Sequence, residues 1–259
     1  ELVVQTKTTL EEEVIGRLNS EANQIGHQVS GFINAAYRVP LSVAKTLQLS
    51  SEDEANRLTR EQVNNLASST LRAHKDVSSI YAQFEPNGFD ARDEEFLGSE
   101  LIHTVANSGA LEIYWIRTPD GNIQQERVEN SVDKNNGTVG EFGIRESEWY
   151  LCSKDSKKPC AMDPYLYEIS EGYSELMTSL VVPVVVNNQF RGVVGTDVNL
   201  PIFQKIIEQR AKALYGGKSR ITLLSDRGLV AASSQYKDKL TRPLSESRDV
   251  FNDELFKTA

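Results

Sequence analysis

Apolar residues recur at Leu10, Val14, Leu18, Ala22, Ile25, Val29, Ile33 and Ala36. Steps of three and four place them on one stripe of a helix. Pro40 is expected to kink or interrupt it, with the pattern resuming through Leu41, Val43, Ala44 and Leu47 to Ser50. At 1.5 Å per residue, a helix from about residue 3 to 39 would be roughly 55 Å long, more than the width of one compact lobe. It should therefore touch more than one lobe. A second helical pattern covers 51–75, with Ser51 and Glu54 spaced as a capping box and Leu58, Val63, Leu66 and Leu71 facing inward.

The texture then changes to short segments rich in β-branched and aromatic residues. Residues 79–84, before Pro86-Asn87-Gly88, and 111–117, before Pro119-Asp120-Gly121-Asn122, read as strands with a helix at 99–108 between them. The strongest hairpin joins 176–186 to 190–198 across Asn187-Asn188. Its near-continuous Val and Leu content predicts a central strand covered on both faces. Pro201 opens a helix over 202–213. After Gly216-Gly217 a smaller β unit follows, 221–224 and 229–232. A strand, an Asp-x-Gly turn and a second strand occur both at 113–123 and at 221–230, which suggests two copies of one architecture. The fold class predicted is α+β.

With 259 residues, 39% hydrophobic and 25% charged, the chain can bury the core of one large or two modest domains. Its 37 acidic and 28 basic residues give a net charge of −9, which argues against nucleic acid or an anionic membrane surface as partner and suits a cationic ligand. The longest apolar run, 180–186, contains Pro183 and falls far short of the roughly 20 residues that span a bilayer. The chain begins at Glu1 with no signal peptide, so it reads as a piece of something longer, with any membrane segment outside it.

Catalytic signals are weak. Gly216-Gly217-Lys218-Ser219 imitates the end of a phosphate-binding loop, but Lys212 stands where the first glycine is needed. No nucleophile elbow, zinc-protease helix, dinucleotide turn or calcium loop is present. His27, His74 and His103 are scattered over stretches read as helical, and no metal or other cofactor is expected. Cys152 and Cys160 enclose a seven-residue polar loop ending in Pro159. They are read either as a disulfide, implying an oxidising compartment, or as two reduced thiols.

The stretch EWYLCSKDSKKPCAMDPYLYE, residues 148–168, gathers Trp149, Tyr150, Tyr165 and Tyr167 around both cysteines. Together with the long stripe from Leu10, the hairpin LMTSLVVPVVVNNQFRGVVGTDVNL and the small second β unit, it resembles the double-Cache (dCACHE) extracytoplasmic sensor domains of bacterial methyl-accepting chemotaxis proteins. That resemblance implies a long N-terminal helix (1–50) along two stacked PAS-like lobes with antiparallel sheets. The lobes would be a membrane-distal one with the ligand pocket (51–200) and a membrane-proximal one, incomplete here (201–259). It also implies a non-enzymatic sensor in the periplasm, anchored in the inner membrane by segments outside this chain, and a homodimer formed through the N-terminal helix. The same module on a histidine kinase or diguanylate cyclase is the alternative.

Laid on the family's amino-acid-binding pattern, the ligand residues fall on Phe142, Trp149, Tyr150, Tyr165 and Asp197. Two positions depart. Ser147 stands where an arginine would clamp a ligand carboxylate, and Tyr167 stands where a second aspartate belongs; Arg145 is the nearest substitute for the arginine. A cation is held by a desolvated carboxylate and the negative faces of aromatic rings, each worth about 0.5–2 kcal/mol when dry. A carboxylate is recognised best by a guanidinium fork. The residues therefore point to a small amine, with an amino acid as the alternative. Tyr114 and Trp115 lie on a strand whose alternation turns only one of them inward, and neither is assigned to the site.

Overall fold

The computed structural model describes residues 2–52, 55, 57–170 and 173–246. The apolar stripe forms α1, Leu2–Glu52, a helix of 51 residues that runs through Pro40 without a break. At 1.5 Å per residue it is about 76 Å long. Proline removes one ladder hydrogen bond, but the residues around it, Ala36, Val39, Val43, Ala44 and Leu47, are all buried in the main core. Their burial offsets the lost bond, and the helix continues. Toward its other end Leu10, Val14, Ile15 and Leu18 are exposed.

The second helix begins later than the pattern suggested. α2 is Arg60–Ala73, and its capping box is Thr59 with Gln62. Ser51 instead belongs to the last turn of α1, its hydroxyl donating to the Leu47 carbonyl at 2.8 Å; Glu54 lies outside the described residues. Val63 and Leu71 are buried as expected, with Leu58 and Leu66 packed at the core's edge.

A seven-stranded antiparallel sheet follows, in the order β3-β2-β1-β7-β6-β4 with β5 also paired to β6. Its strands are β1 (Ser79–Phe84), β2 (Glu112–Arg117), β3 (Ile123–Glu126), β4 (Cys160–Ala161), β5 (Tyr165–Ser170), β6 (Tyr173–Val186) and β7 (Gln189–Asn199). The β6–β7 hairpin turns at Asn187 and Asn188, whose φ of 50° and 60° match a turn with two left-handed residues. β6 and β7 are internal strands, as their composition predicted.

The helix expected at 99–108 does not form. His103, Thr104 and Val105 are all buried, three in a row, which no single helix face can accommodate. Thr104 bridges to Leu111 instead. Arg60 pins this loop: its guanidinium bonds Asp90 and Asp93 at 2.7 Å and the Gly109 carbonyl. His103 thus lies in a turn and not in a helix.

The two faces of the sheet have different partners. Ile80, Ala82, Phe84, Ile113, Leu180, Val182 and Val194 pack under α1 and α2. The alternate residues Tyr81, Val181 and Val193 face α3, Glu148–Ser156, with Tyr150 and Leu151. The segment read as a polar loop between the cysteines therefore starts as helix. Beyond the sheet come α4 (Pro201–Ala213) and a two-stranded sheet of β8 (Thr222–Leu224) and β9 (Val230–Ser233). Ile25, Phe203, Ile207 and Ala232 join α1, α4 and this second sheet in a core of their own. Among the described residues no helix is long and apolar enough to cross a membrane. Residues 247–259 lie outside the described residues.

Candidate functional site

Alternation along the central strands brings one polar row to the α3 face. Asp197 on β7 lies opposite Ser179 on β6, and Tyr81 on β1 lies opposite Gly195 on β7 and Tyr114 on β2. The Asp197 carboxylate is buried and accepts three hydroxyl hydrogen bonds. Ser179 Oγ donates to Oδ1 at 2.6 Å, Tyr165 Oη to the same oxygen at 3.0 Å, and Ser79 Oγ to Oδ2. A carboxylate offers about four acceptor positions, so roughly one remains, on Oδ2. Burial pushes the Asp197 pKa up, and the bonds from Ser179, Ser79 and Tyr165 pull it back only in part.

Above this row lies a cavity of about 850 Å³. Its aromatic wall is made by Tyr81, Tyr114, Trp149, Tyr165 and Tyr167. The Tyr81 and Trp149 rings meet edge to face at 5.3 Å, and Tyr81 and Tyr114 at 6.3 Å. Tyr114 Oη donates to Tyr167 Oη at 3.3 Å. The Tyr81 ring lies directly across Gly195, where a Cβ would fall 2.1 Å from the ring, so only glycine leaves room for it. The Tyr81 hydroxyl is buried and has no hydrogen-bond partner among the described residues. Burial first, and the charge of Asp197 second, raise the pKa of both Tyr81 and Tyr165, so both stay protonated.

Of the candidates from sequence, Arg145, Trp149, Tyr165, Tyr167 and Asp197 line this cavity. Phe142 and Tyr150 do not. Phe142 sits in a turn with φ 62°, its ring beneath the Arg242 guanidinium at 5.4 Å. Tyr150 is fully buried behind Trp149, its hydroxyl donating to Glu85 Oε1 at 2.6 Å. The W-Y pair thus divides its labour, one ring to the cavity and one to the core. Arg145 reaches the cavity with its fork already engaged: Nε donates to Glu148 at 2.6 Å and Nη1 to Asp155 at 2.7 Å. Ser147, at the arginine position, is buried at the start of α3 and donates to the Asp133 carbonyl at 2.6 Å.

Tyr81, Gln83, Tyr114, Ser79 and Ser179 were missed. Alternation supplies part of the signal, and strand order the rest: Ser79, Tyr81 and Gln83 share a face of β1, and Tyr114 takes that face while Trp115 turns to α2 and donates to Asn64 at 2.9 Å. The two cysteines form a disulfide, with Cα atoms 6.4 Å apart, between α3 and β4. It ties Trp149's helix to the strand that leads to Tyr165, and Cys152 itself lines the cavity. No group of three or more His, Cys, Asp or Glu residues suited to a metal occurs among the described residues.

No family model matches the chain. Methyl-accepting chemotaxis protein TlpQ of Pseudomonas aeruginosa is 31% identical over 188 residues, which cover 73% of this chain and 26% of that protein. Among solved structures, a methyl-accepting chemotaxis protein X superposes with a TM-score of 0.69 at 21% identity, covering 93% of this chain and 82% of that one. The chain has the fold of the Cache-type sensor domains. The extracellular domain of a proposed histidine kinase, mmHK1S-Z3, shares the fold at a TM-score of 0.66 and 21% identity, covering 89% of this chain and 73% of that one. So does the ligand-binding domain of the Pseudomonas aeruginosa amino-acid chemoreceptor PctC in complex with GABA, at 0.55 and 12%, covering 90% and 79%. The relatives it resembles are sensor domains of receptors and not enzymes. It spans about a quarter of the length of TlpQ.

Proposed function

We propose that this sensor domain is the periplasmic part of an inner-membrane chemoreceptor and that its ligand is a small cationic amine seated against Asp197. One observation supports the ligand class above the others. The cavity's deepest charged group is a buried carboxylate ringed by tyrosines and Trp149, while the guanidinium nearest the family's clamp position, Arg145, is committed to Glu148 and Asp155. An ammonium can donate to the open position on Asp197 Oδ2 and present its remaining charge to the ring faces. A ligand carboxylate would have to displace two acidic partners from Arg145. An amino acid remains the second reading, because PctC is described in complex with GABA, a zwitterion.

In this reading residues 51–200 form the ligand-binding lobe and residues from 201 onward the second lobe, with α1 serving both. The exposed Leu10, Val14, Ile15 and Leu18 suit a second copy of the helix in a homodimer, and a disulfide suits an oxidising periplasm. Membrane segments flanking the domain and a chemotaxis output complete the proposal; the fold shared with mmHK1S-Z3 favours a histidine-kinase output as the alternative. Calorimetric titration with ethylamine, tetramethylammonium, L-valine, GABA and acetate tests the ligand class. The amines should bind and acetate should not. Binding of valine or GABA without binding of either amine would replace this reading with the amino-acid one.

A further inference from the structure

The cavity wall is shared between the two sheets. Tyr165 and Asp197 come from the large sheet, whereas Leu223, Asp226 and Arg227 come from β8 and the turn that follows it. That turn is fastened to the loops around the ligand site at two points by one side chain. Arg227 Nε lies 3.2 Å from Asp163 Oδ2, and Nη1 donates to the Gly143 carbonyl at 3.1 Å. Asp163 is itself a cavity residue, two positions before Tyr165. The Arg227 side chain is 43% exposed and that of Asp163 16%. An ion pair this open is weak, and little is needed to break it.

We propose that Arg227 is the residue through which the second β unit senses ligand: a cation seated at Asp197 repels Arg227 across the shared cavity, weakens its pair with Asp163 and releases the β8–β9 turn. The inference rests on the amine reading above. The ammonium and the guanidinium are like charges facing one cavity, and they repel each other. Thermodynamic reciprocity then makes the effect measurable from either end, since a ligand that weakens the latch must bind tighter when the latch is absent.

The test uses ethylammonium as the probe, calorimetry for affinity, and hydrogen exchange at the Gly228 and Leu229 amides, which donate to the Ser225 carbonyl and hydroxyl. Arg227→Gln should bind ethylammonium about fivefold tighter than the wild type, at the lower end of coupling between sites. Arg227→Lys should stay near wild type. Asp163→Asn should bind more weakly, because a cavity carboxylate that offsets the Arg227 charge is gone. In the wild type, exchange at Gly228 and Leu229 should rise on saturation; in Arg227→Gln and Asp163→Asn it should be high without ligand. A merely structural clamp would move both affinities in the same direction, and that result overturns the proposal. So does wild-type binding with Arg227→Gln unchanged, which leaves the amine reading standing. Failure of the wild type and all variants to bind ethylammonium overturns both.

Discussion

Replacing Asp197 by asparagine separates the ligand role proposed for this carboxylate from its structural one. The side chain is isosteric, and the three hydroxyls around it, from Ser79, Ser179 and Tyr165, can each turn to accept as well as donate. Burial raises the Asp197 pKa, so its charge costs stability in the folded state even with those bonds in place. The neutral variant should therefore melt at the wild-type temperature or above it. Ligand binding should move the other way. A hydrogen bond from a charged donor to a charged acceptor contributes about 1.5–3 kcal/mol net, and an ammonium left against a neutral amide keeps only the ring contribution. A loss of about 2.7 kcal/mol corresponds to roughly 100-fold in Kd. Calorimetry with ethylamine measures the second quantity and thermal unfolding the first. An Asp197→Asn protein that melts normally and binds the amine within about threefold of wild type would refute the reasoning, because the carboxylate would then be a packing element.

Reduction of Cys152–Cys160 reopens a short loop of sequence separation 8, which the chain-entropy estimate values at about 2.5 kcal/mol. Because the bridge ties Trp149's helix to the strand before Tyr165, reductant should weaken amine binding at concentrations where circular dichroism still reports a folded protein; unchanged affinity would count against the role assigned to the bridge. Glu112, buried against Lys134, has its pKa raised from 4.5 to about 7, burial being the main cause. An acid raised on folding holds its proton longer in the folded state, so its contribution to stability is greatest below about 4.5 and is lost as pH climbs to about 7. The span corresponds to about 3 kcal/mol. Subtracting the Glu112→Gln stability profile from the wild-type one should isolate that fall, and two parallel profiles would remove Glu112 as its source.

Periodicity was enough to place most elements. The stripe on α1, the β6–β7 hairpin around Asn187-Asn188 and the proline-led α4 are local patterns, and they survive because burial reinforces them. The failures come from tertiary partners that no local window contains. Arg60 holds 90–109 as a loop by reaching across about thirty to fifty residues, and core packing carries α1 past Pro40. The site divides in the same way. Trp149, Tyr165 and Asp197 fall on the family pattern and line the cavity, whereas placing Tyr81 and Tyr114 beside them required knowing that β1 sits between β2 and β7. Phe142 and Tyr150 lie outside the cavity because a motif gives spacing and not the direction in which a ring points.

Tyr37 of α1 donates its hydroxyl to the carbonyl of Val181 at 3.0 Å, and Val181 stands two residues from Ser179, one of the three donors to Asp197. A single sheet is all that separates the buried carboxylate from the long helix. On the proposed reading, a ligand that pulled on the Ser179–Asp197 pair would act on β6, the strand to which Tyr37 fastens the helix. The proposed path from ligand to helix would then be one sheet thick, and it would end on an element about 76 Å long.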